Sequence, residues 1–417
     1  MVIENVIAVP VRSGFFADDQ AAIRAGAAHD GFTYTGPPVT AGFTTIRQPG
    51  EAVSVLLRLS DGQVAHGDCA AVQYSGVGGR DHVFNAQQAV DTIERHVLPL
   101  LRGRPVTNFR DAAREVDTLE VEGGRLHAAI RYGVTQSLLD AVARMRGVTM
   151  AEVVRDEYGT GIEIRPVPMF VQSGDERTIN VDKMVLKQAD VLPHGLINEV
   201  ETKLGPEGEL LLAYVAWVRD RIVHLRPRPG YSPRLHFDVY GTIGVVFGGD
   251  VDRVAAYLAR LGAAAAPFEV CVEHVIDAGS RSEQIRVSSA LRRALRERDS
   301  NVRIAVDEWC NTLEDIELFV EAQAADVIHV KTPDLGGVNN TIEALLLVSR
   351  GGLSAYCGGS CNETDRSAQV SAHIAMACGA AQVLAKPGMG VDEGMMIVGN
   401  EMARVAALVA ARERMPA

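Results

Sequence analysis

The chain has 417 residues, enough for a full barrel and a smaller domain. Acidic residues outnumber basic ones by 53 to 41, giving a net charge of −12; with no basic cluster and no interleaved aromatic stripe, nucleic acid and anionic membranes are poor partners. Hydrophobic content is 47%, ordinary for a soluble protein. No stretch reads as a bilayer span, and the first twelve residues lack the charged start and apolar core of a secretory signal.

Residues 1–160 read as an α+β domain. Residues 3–12, 52–59 and 63–71 have the pattern of strands, and Leu59-Ser60-Asp61-Gly62 supplies a hairpin turn. Helical periodicity follows over residues 83–101, 108–121, 126–146 and 149–158. Between the sheet and the first helix lies a glycine-rich loop, residues 73–81, whose spacing matches neither a Walker motif nor a dinucleotide fingerprint. It reads as a lid that closes over a neighbouring mouth and excludes water.

Strand and helix alternate from Val167 onward, which predicts a TIM-type (β/α) barrel over residues 161–417 capped by the amino-terminal domain. The first strand is expected at residues 168–172 and the second at 198–203, with His194 in a loop between them. Four further runs each end in an ionisable residue: Leu235-His236-Phe237-Asp238, residues 268–273 ending in Glu273, residues 302–307 ending in Asp307, and Val327-Ile328-His329-Val330-Lys331. Helices are expected at residues 250–261, 282–298 and 313–324. The last strands are expected within 353–361 and 382–388, and a closing helix at 398–414. The six cysteines (Cys69, Cys271, Cys310, Cys357, Cys361, Cys378) follow no disulfide or zinc framework and read as reduced thiols of a cytoplasmic protein.

Active sites of such barrels gather at the carboxyl ends of the strands. Asp238, Glu273 and Asp307 would therefore point at one centre, where like charges repel unless a cation sits among them. An all-oxygen donor set suits magnesium before zinc. Any one of these carboxylates could equally cap a helix or pair on the rim; three on consecutive strand ends followed by a lysine point to a cation beside a base. That pairing suits removal of a weakly acidic proton next to a carboxylate, with Lys331 lowered toward the working pH by burial and a nearby cation.

The chain resembles the methylaspartate ammonia-lyases of the enolase superfamily over essentially its whole length. The resemblance rests on residues 73–81, on Lys187-Gln188-Ala189-Asp190-Val191-Leu192-Pro193-His194, on Asp238-Val239-Tyr240-Gly241-Thr242-Ile243-Gly244, on Val306-Asp307-Glu308-Trp309-Cys310-Asn311 and on Lys331-Thr332-Pro333-Asp334-Leu335-Gly336-Gly337. It implies that Asp238, Glu273 and Asp307 bind Mg2+ and that Lys331 takes the C3 proton of L-threo-3-methylaspartate, ammonia leaving from C2 to give mesaconate. It implies His194 on the opposite face, as base for the other C3 epimer and as a donor to the metal-bound carboxylate. Gln73 and Gln172 would face the substrate amine, and Ser360 and Cys361 the second carboxylate. A homodimer and activation by K+ are further expectations of the family.

Two positions depart from the family pattern. His329 stands where the family has glutamine; it shares strand parity with Lys331 and so faces the same interior. Ser360 stands where the family usually has threonine, keeping the hydroxyl and losing a methyl. Both touch the substrate, so the chemistry reads more firmly than the substrate, and a dehydratase or racemase acting on another hydroxy or amino acid is the alternative, with a non-catalytic diacid-binding barrel a third reading. Other candidates have plainer roles: Lys203 at the end of the expected second strand is either an opposing base or an ion-pair partner, His236 orients a ligand from below, Lys386 either steadies a carboxylate or belongs to a loop, and Cys361 offers a backbone N–H.

Overall fold

Eight short parallel strands close into a barrel: Met169–Phe170, Val191–His194, Arg234–Asp238, Val270–Glu273, Arg303–Val306, Val327–Val330, Ser354–Cys357 and Gln382–Leu384, the last pairing with the first. The structure is a computed structural model that describes residues 1–76 and 79–414. Helices cover the strands on the outside and carry the expected apolar stripes. In Val251–Ala265, Val254, Ala255, Leu258, Leu261 and Ala265 are buried at intervals of three and four. Asp250 caps that helix, and Thr312 with Asp315 forms a capping box at the start of Leu313–Glu321.

The second strand is not where the sequence pattern placed it. Val191–His194 pairs in register with residues 234–237 and is buried throughout, whereas Val200–Leu204 is a wide helical turn with Glu201 and Thr202 exposed. The period-2 alternation of residues 198–203 mimics a strand with one wet face, but a parallel barrel strand is covered on both faces and reads as a continuous apolar run. His194 therefore ends a strand instead of sitting in a loop.

Side chains fill the barrel interior. Phe170, Val191, Cys271, Ala305, Val327, Tyr356 and Leu384 form one buried cluster, with His236 stacked on Phe170 at 4.4 Å between ring centres. Barrels of this size are packed, so ligands are confined to the mouth.

Strands Ile3–Asp18, Arg47–Leu59 and Val64–Ala70 form the expected antiparallel sheet, the first two extending beyond their predicted bounds. Helix Ala128–Arg146 lies directly on it, which requires glycine on both sides. A Cβ at Gly67 would stand 2.4 Å from the Gly133 carbonyl oxygen, and one at Gly133 would stand 2.3 Å from the Cys69 nitrogen. Phe109–Asp117 is shorter than predicted, because Glu120–Val121 turns back on Gly124–Arg125 in a small hairpin through Gly123 and Gly124, both at positive φ. Val77 and Gly78, at the centre of the expected lid, lie outside the described residues.

Helix Val391–Glu413 is long and apolar enough, by length and composition, to cross a membrane, contrary to the sequence reading. It packs a single stripe, Val391, Gly394, Val398, Met402, Val405 and Val409, against the protein, and Arg404 and Arg412 ion-pair with Glu401 and Glu152. That is the pattern of an outer barrel helix. All six cysteines are free and buried.

Candidate active site

Parallel register brings the strand-end residues together. Asp238 pairs directly with Glu273, and Asp307 and Lys331 follow the last residues of the next two strands. One cavity at the mouth is lined by ten of the residues singled out from the sequence: Gln73, Gln172, His194, Asp238, Glu273, Asp307, His329, Lys331, Ser360 and Cys361. Lys331 Nζ donates to Asp307 Oδ2 at 2.8 Å. His194 Nε2 stands 3.5 Å from Asp238 Oδ2.

Glu273 is held between two imidazoles. Gly359 N–H donates to His329 Nε2 at 3.2 Å, so neutral His329 carries its proton on Nδ1 and donates to Glu273 Oε1 at 2.6 Å. By the same logic Gln382 Nε2 donates to His236 Nδ1 at 3.0 Å, which turns His236 Nε2–H toward Glu273 Oε2, 2.8 Å away. His236 thus orients a carboxylate from below, as anticipated. Glu273, Asp307 and His329 each offer a ligand atom within 4.8 Å of the others. Asp238 adds a third carboxylate from the adjoining strand.

Electrostatics match a site that wants positive charge. Burial raises the Asp238 carboxyl, and the Glu273 and Asp307 charges push it further, against the His194 bond that lowers it. Burial would raise Glu273 as well, but the imidazoles of His329 and His236 hold it well below the ordinary carboxylate range. Burial pulls Lys331 down, yet the carboxylates of Asp307, Glu308 and Asp334 overcome it and leave the ammonium above its usual value. The downward shift expected of Lys331 is therefore not a property of the protein groups alone. Burial pushes the Cys361 thiol up to about 12, which keeps it a thiol that donates to Gln73 Oε1 at 3.3 Å and fits a wall residue.

Two lysines lie elsewhere. Lys203 is on the wide turn, not a strand, and its Nζ meets Asp175 Oδ1 at 3.1 Å and Asn198 Oδ1 at 2.8 Å. Lys386 is fully buried and spends its ammonium on Thr332 Oγ1, the Gly358 carbonyl and Glu363 Oε1, at 2.9, 2.8 and 2.7 Å. Only glycine fits beside that pair, since a Cβ at Gly359 would stand 2.1 Å from Glu363 Oε1 and its φ is 143°. Lys386→Met strands the Glu363 charge and should cost about 3–5 kcal/mol in denaturant unfolding. A loss below about 1 kcal/mol would mean that the pair carries no net charge interaction.

Arg80 is the main residue the sequence reading left without a role. It leaves the 73–81 loop and bridges Glu308 at 3.0 Å and Asp334 at 2.8 Å, buried between them. Glu308 is pulled down to about 2, burial working against it and Arg80 for it. The signal was a single arginine inside a glycine-rich loop, answered by acids after Asp307 and after Thr332-Pro333.

Family models described as the N-terminus and C-terminus of methylaspartate ammonia-lyase match residues 1–159 and 161–411. Methylaspartate ammonia-lyase of Clostridium tetanomorphum is 57% identical over 413 residues, 99% of this chain and 100% of that protein. A crystal structure of beta-methylaspartase from that organism, a Mg complex, superposes with a TM-score of 0.96 at 57% identity over 99% of this chain and 100% of that one. The Citrobacter amalonaticus methylaspartate ammonia-lyase structure containing (2S,3S)-3-methylaspartic acid gives 0.96 at 50% identity, covering 98% of this chain and 100% of that one. The muconate cycloisomerase of Pseudomonas fluorescens, at 18% identity and TM-score 0.60 over 90% of this chain and 84% of that one, shares the fold.

Proposed function

The chain belongs to the methylaspartate ammonia-lyase family of the enolase superfamily and is a carbon–nitrogen lyase; from that premise we propose that it eliminates ammonia from L-threo-3-methylaspartate, or a close amino diacid, to give mesaconate in a magnesium-dependent reaction. The observation that carries this reading is the convergence of Asp238, Glu273 and Asp307 with Lys331 on one cavity.

The residues fit the metal. Three buried carboxylates from adjacent strands supply hard oxygen donors, and the burial and mutual repulsion that raise Asp238 are what a divalent cation offsets. Neutral His329 keeps its Nδ1 proton for Glu273, which favours a carboxylate ligand set over a nitrogen one. When bound, magnesium supplies positive charge against the second negative charge that the substrate carboxylate acquires as the C3 proton leaves.

Lys331 removes that proton and holds it at Nζ. His194, next to Asp238, serves the opposite face, as base for the other epimer. The Gln73 amide donates Nε2–H to Asp18 Oδ2 at 2.9 Å, and its Oε1, which accepts from the Cys361 thiol, has a second lone pair for a substrate ammonium, with Gln172 beside it on the cavity wall. Ser360 and Cys361 offer hydroxyl and backbone groups to the second carboxylate, the Ser360 hydroxyl being positioned by N–H donors from Gln73 and Asn362. Residues 1–160 act as the cap on the 161–417 barrel, because Gln73, Tyr74 and Arg80 close one side of the mouth. A homodimer, K+ activation and a cytoplasmic location complete the proposal; light scattering, replacement of K+ by Na+ and cell fractionation test them.

The direct experiment mixes protein, Mg2+, K+ and L-threo-3-methylaspartate and follows enoate absorbance in the ultraviolet. A rise abolished by chelator supports the reading; water loss or epimerisation without ammonia would move it to a dehydratase or racemase. His329→Gln exchanges one donor to Glu273 for another, so turnover should persist with KM shifted by less than about tenfold, the scale of one hydrogen bond. Loss of turnover in that variant would make the imidazole indispensable and defeat the view of position 329 as a tolerated exchange.

A further inference from the structure

Beside the Asp307 end of the site lies a second, smaller cavity, lined by His274, Gln284, Ser288, Asp307 and Glu308 among others. His274 is 5% exposed, and its Nε2 is buried without a hydrogen-bond partner. Its backbone stands at φ 51°, in the left-handed region. A buried polar atom left unsatisfied and a non-glycine residue held at positive φ are each unfavourable, and such features concentrate where a ligand or function compensates them.

The compensation is available within reach. One ligand atom from each of His274, Asp307 and Glu308 lies within 4.8 Å of the other two. Atoms bound to one ion at about 2.0–2.2 Å stand no more than roughly 4.4 Å apart, so a small contraction completes the set.

We propose that His274, Asp307 and Glu308 form a second cation site, which takes one divalent transition-metal ion and shares Asp307 with the carboxylates on the barrel axis. One imidazole with two carboxylates favours a borderline ion such as cobalt, nickel or zinc over magnesium, whereas Asp238, Glu273 and Asp307 offer oxygen alone. The shared Asp307 is the only point at which this inference rests on the proposed function. An ion in the second site competes with Lys331 for Asp307 and with Arg80 for Glu308, contacts now at 2.8 and 3.0 Å. Its occupancy is therefore inhibitory.

The test titrates full-length protein with Co2+ by calorimetry and visible absorption, comparing wild type with His274→Gly and His274→Asn. Both replacements suit a positive φ and carry no imidazole, so the fold is kept. Two Co2+ per wild-type chain are expected, with the second site lost in His274→Gly and weakened at least about tenfold in His274→Asn. Mg2+ affinity should remain within about twofold in both, since the all-oxygen set is untouched. One Co2+ in every protein overturns the inference, the cavity then holding water against Nε2; two in every protein overturns His274 as the ligand. Two Co2+ sites in a protein without ammonia-lyase activity would sink the proposed function and leave this inference standing.

Discussion

Lys331→Ala should lower turnover of L-threo-3-methylaspartate by about 10²–10⁴-fold, the usual worth of a positioned general base, without weakening Mg2+ binding. The second half of that statement discriminates. The Lys331 ammonium lies 2.8 Å from Asp307 Oδ2, where it competes with any cation for the same carboxylate. Removing it leaves Asp307 available, so calorimetric Mg2+ affinity should hold or rise. A structural lysine would behave in the opposite way: its loss would disturb Asp307 and weaken the metal along with activity. Solvent deuterium exchange at C3 gives an independent reading, since it reports proton removal whether or not ammonia leaves. Exchange at the wild-type rate in Lys331→Ala would take this residue out of the mechanism.

Much of this was legible in the sequence because a barrel strand places its last ionisable residue at the mouth, and Asp238, Glu273, Asp307 and Lys331 sit at four such positions. Parity placed His329 on the same interior face, and it lines the same cavity. Three things were hidden, each for a different reason. The strand Val191–His194 is short, fully buried and contains a proline, so it carries no alternation, while the exposed stretch after it does. The partner of Lys386 is Glu363, which belongs to a loop after a different strand; only the closed topology brings them together, and a lysine before Pro387-Gly388 looks like ordinary loop chemistry. Arg80 reads as a solvated charge in a glycine-rich loop until the two acids it bridges are placed by the barrel. Local periodicity reports which face a residue takes, whereas pairing across distant segments is a property of the fold.

Asp307→Ala should reduce Mg2+ affinity by roughly 10³-fold, since a unit charge pair at 4 Å contributes about 4 kcal/mol at an effective dielectric of 20. Asp307 is the harder test of the carboxylate set because its present partner is an ammonium. If its role were only to anchor Lys331, the substitution would free that lysine and leave metal affinity where it was. If it is a ligand, both functions fail together, and Asp307→Asn, which keeps the shape and removes the charge, should be almost as damaging to Mg2+ binding as alanine. The variants also act on Lys331 itself: the Asp307 charge is the largest influence holding its ammonium up against burial, so without it the lysine is less basic. A free amine with no bound cation beside it can accept a proton but lacks the positive charge that makes the substrate proton acidic. Turnover should therefore stay low in Asp307→Asn at every pH, and activity that persists with its pH profile displaced to lower pH would show that Asp307 tunes the base and holds no metal.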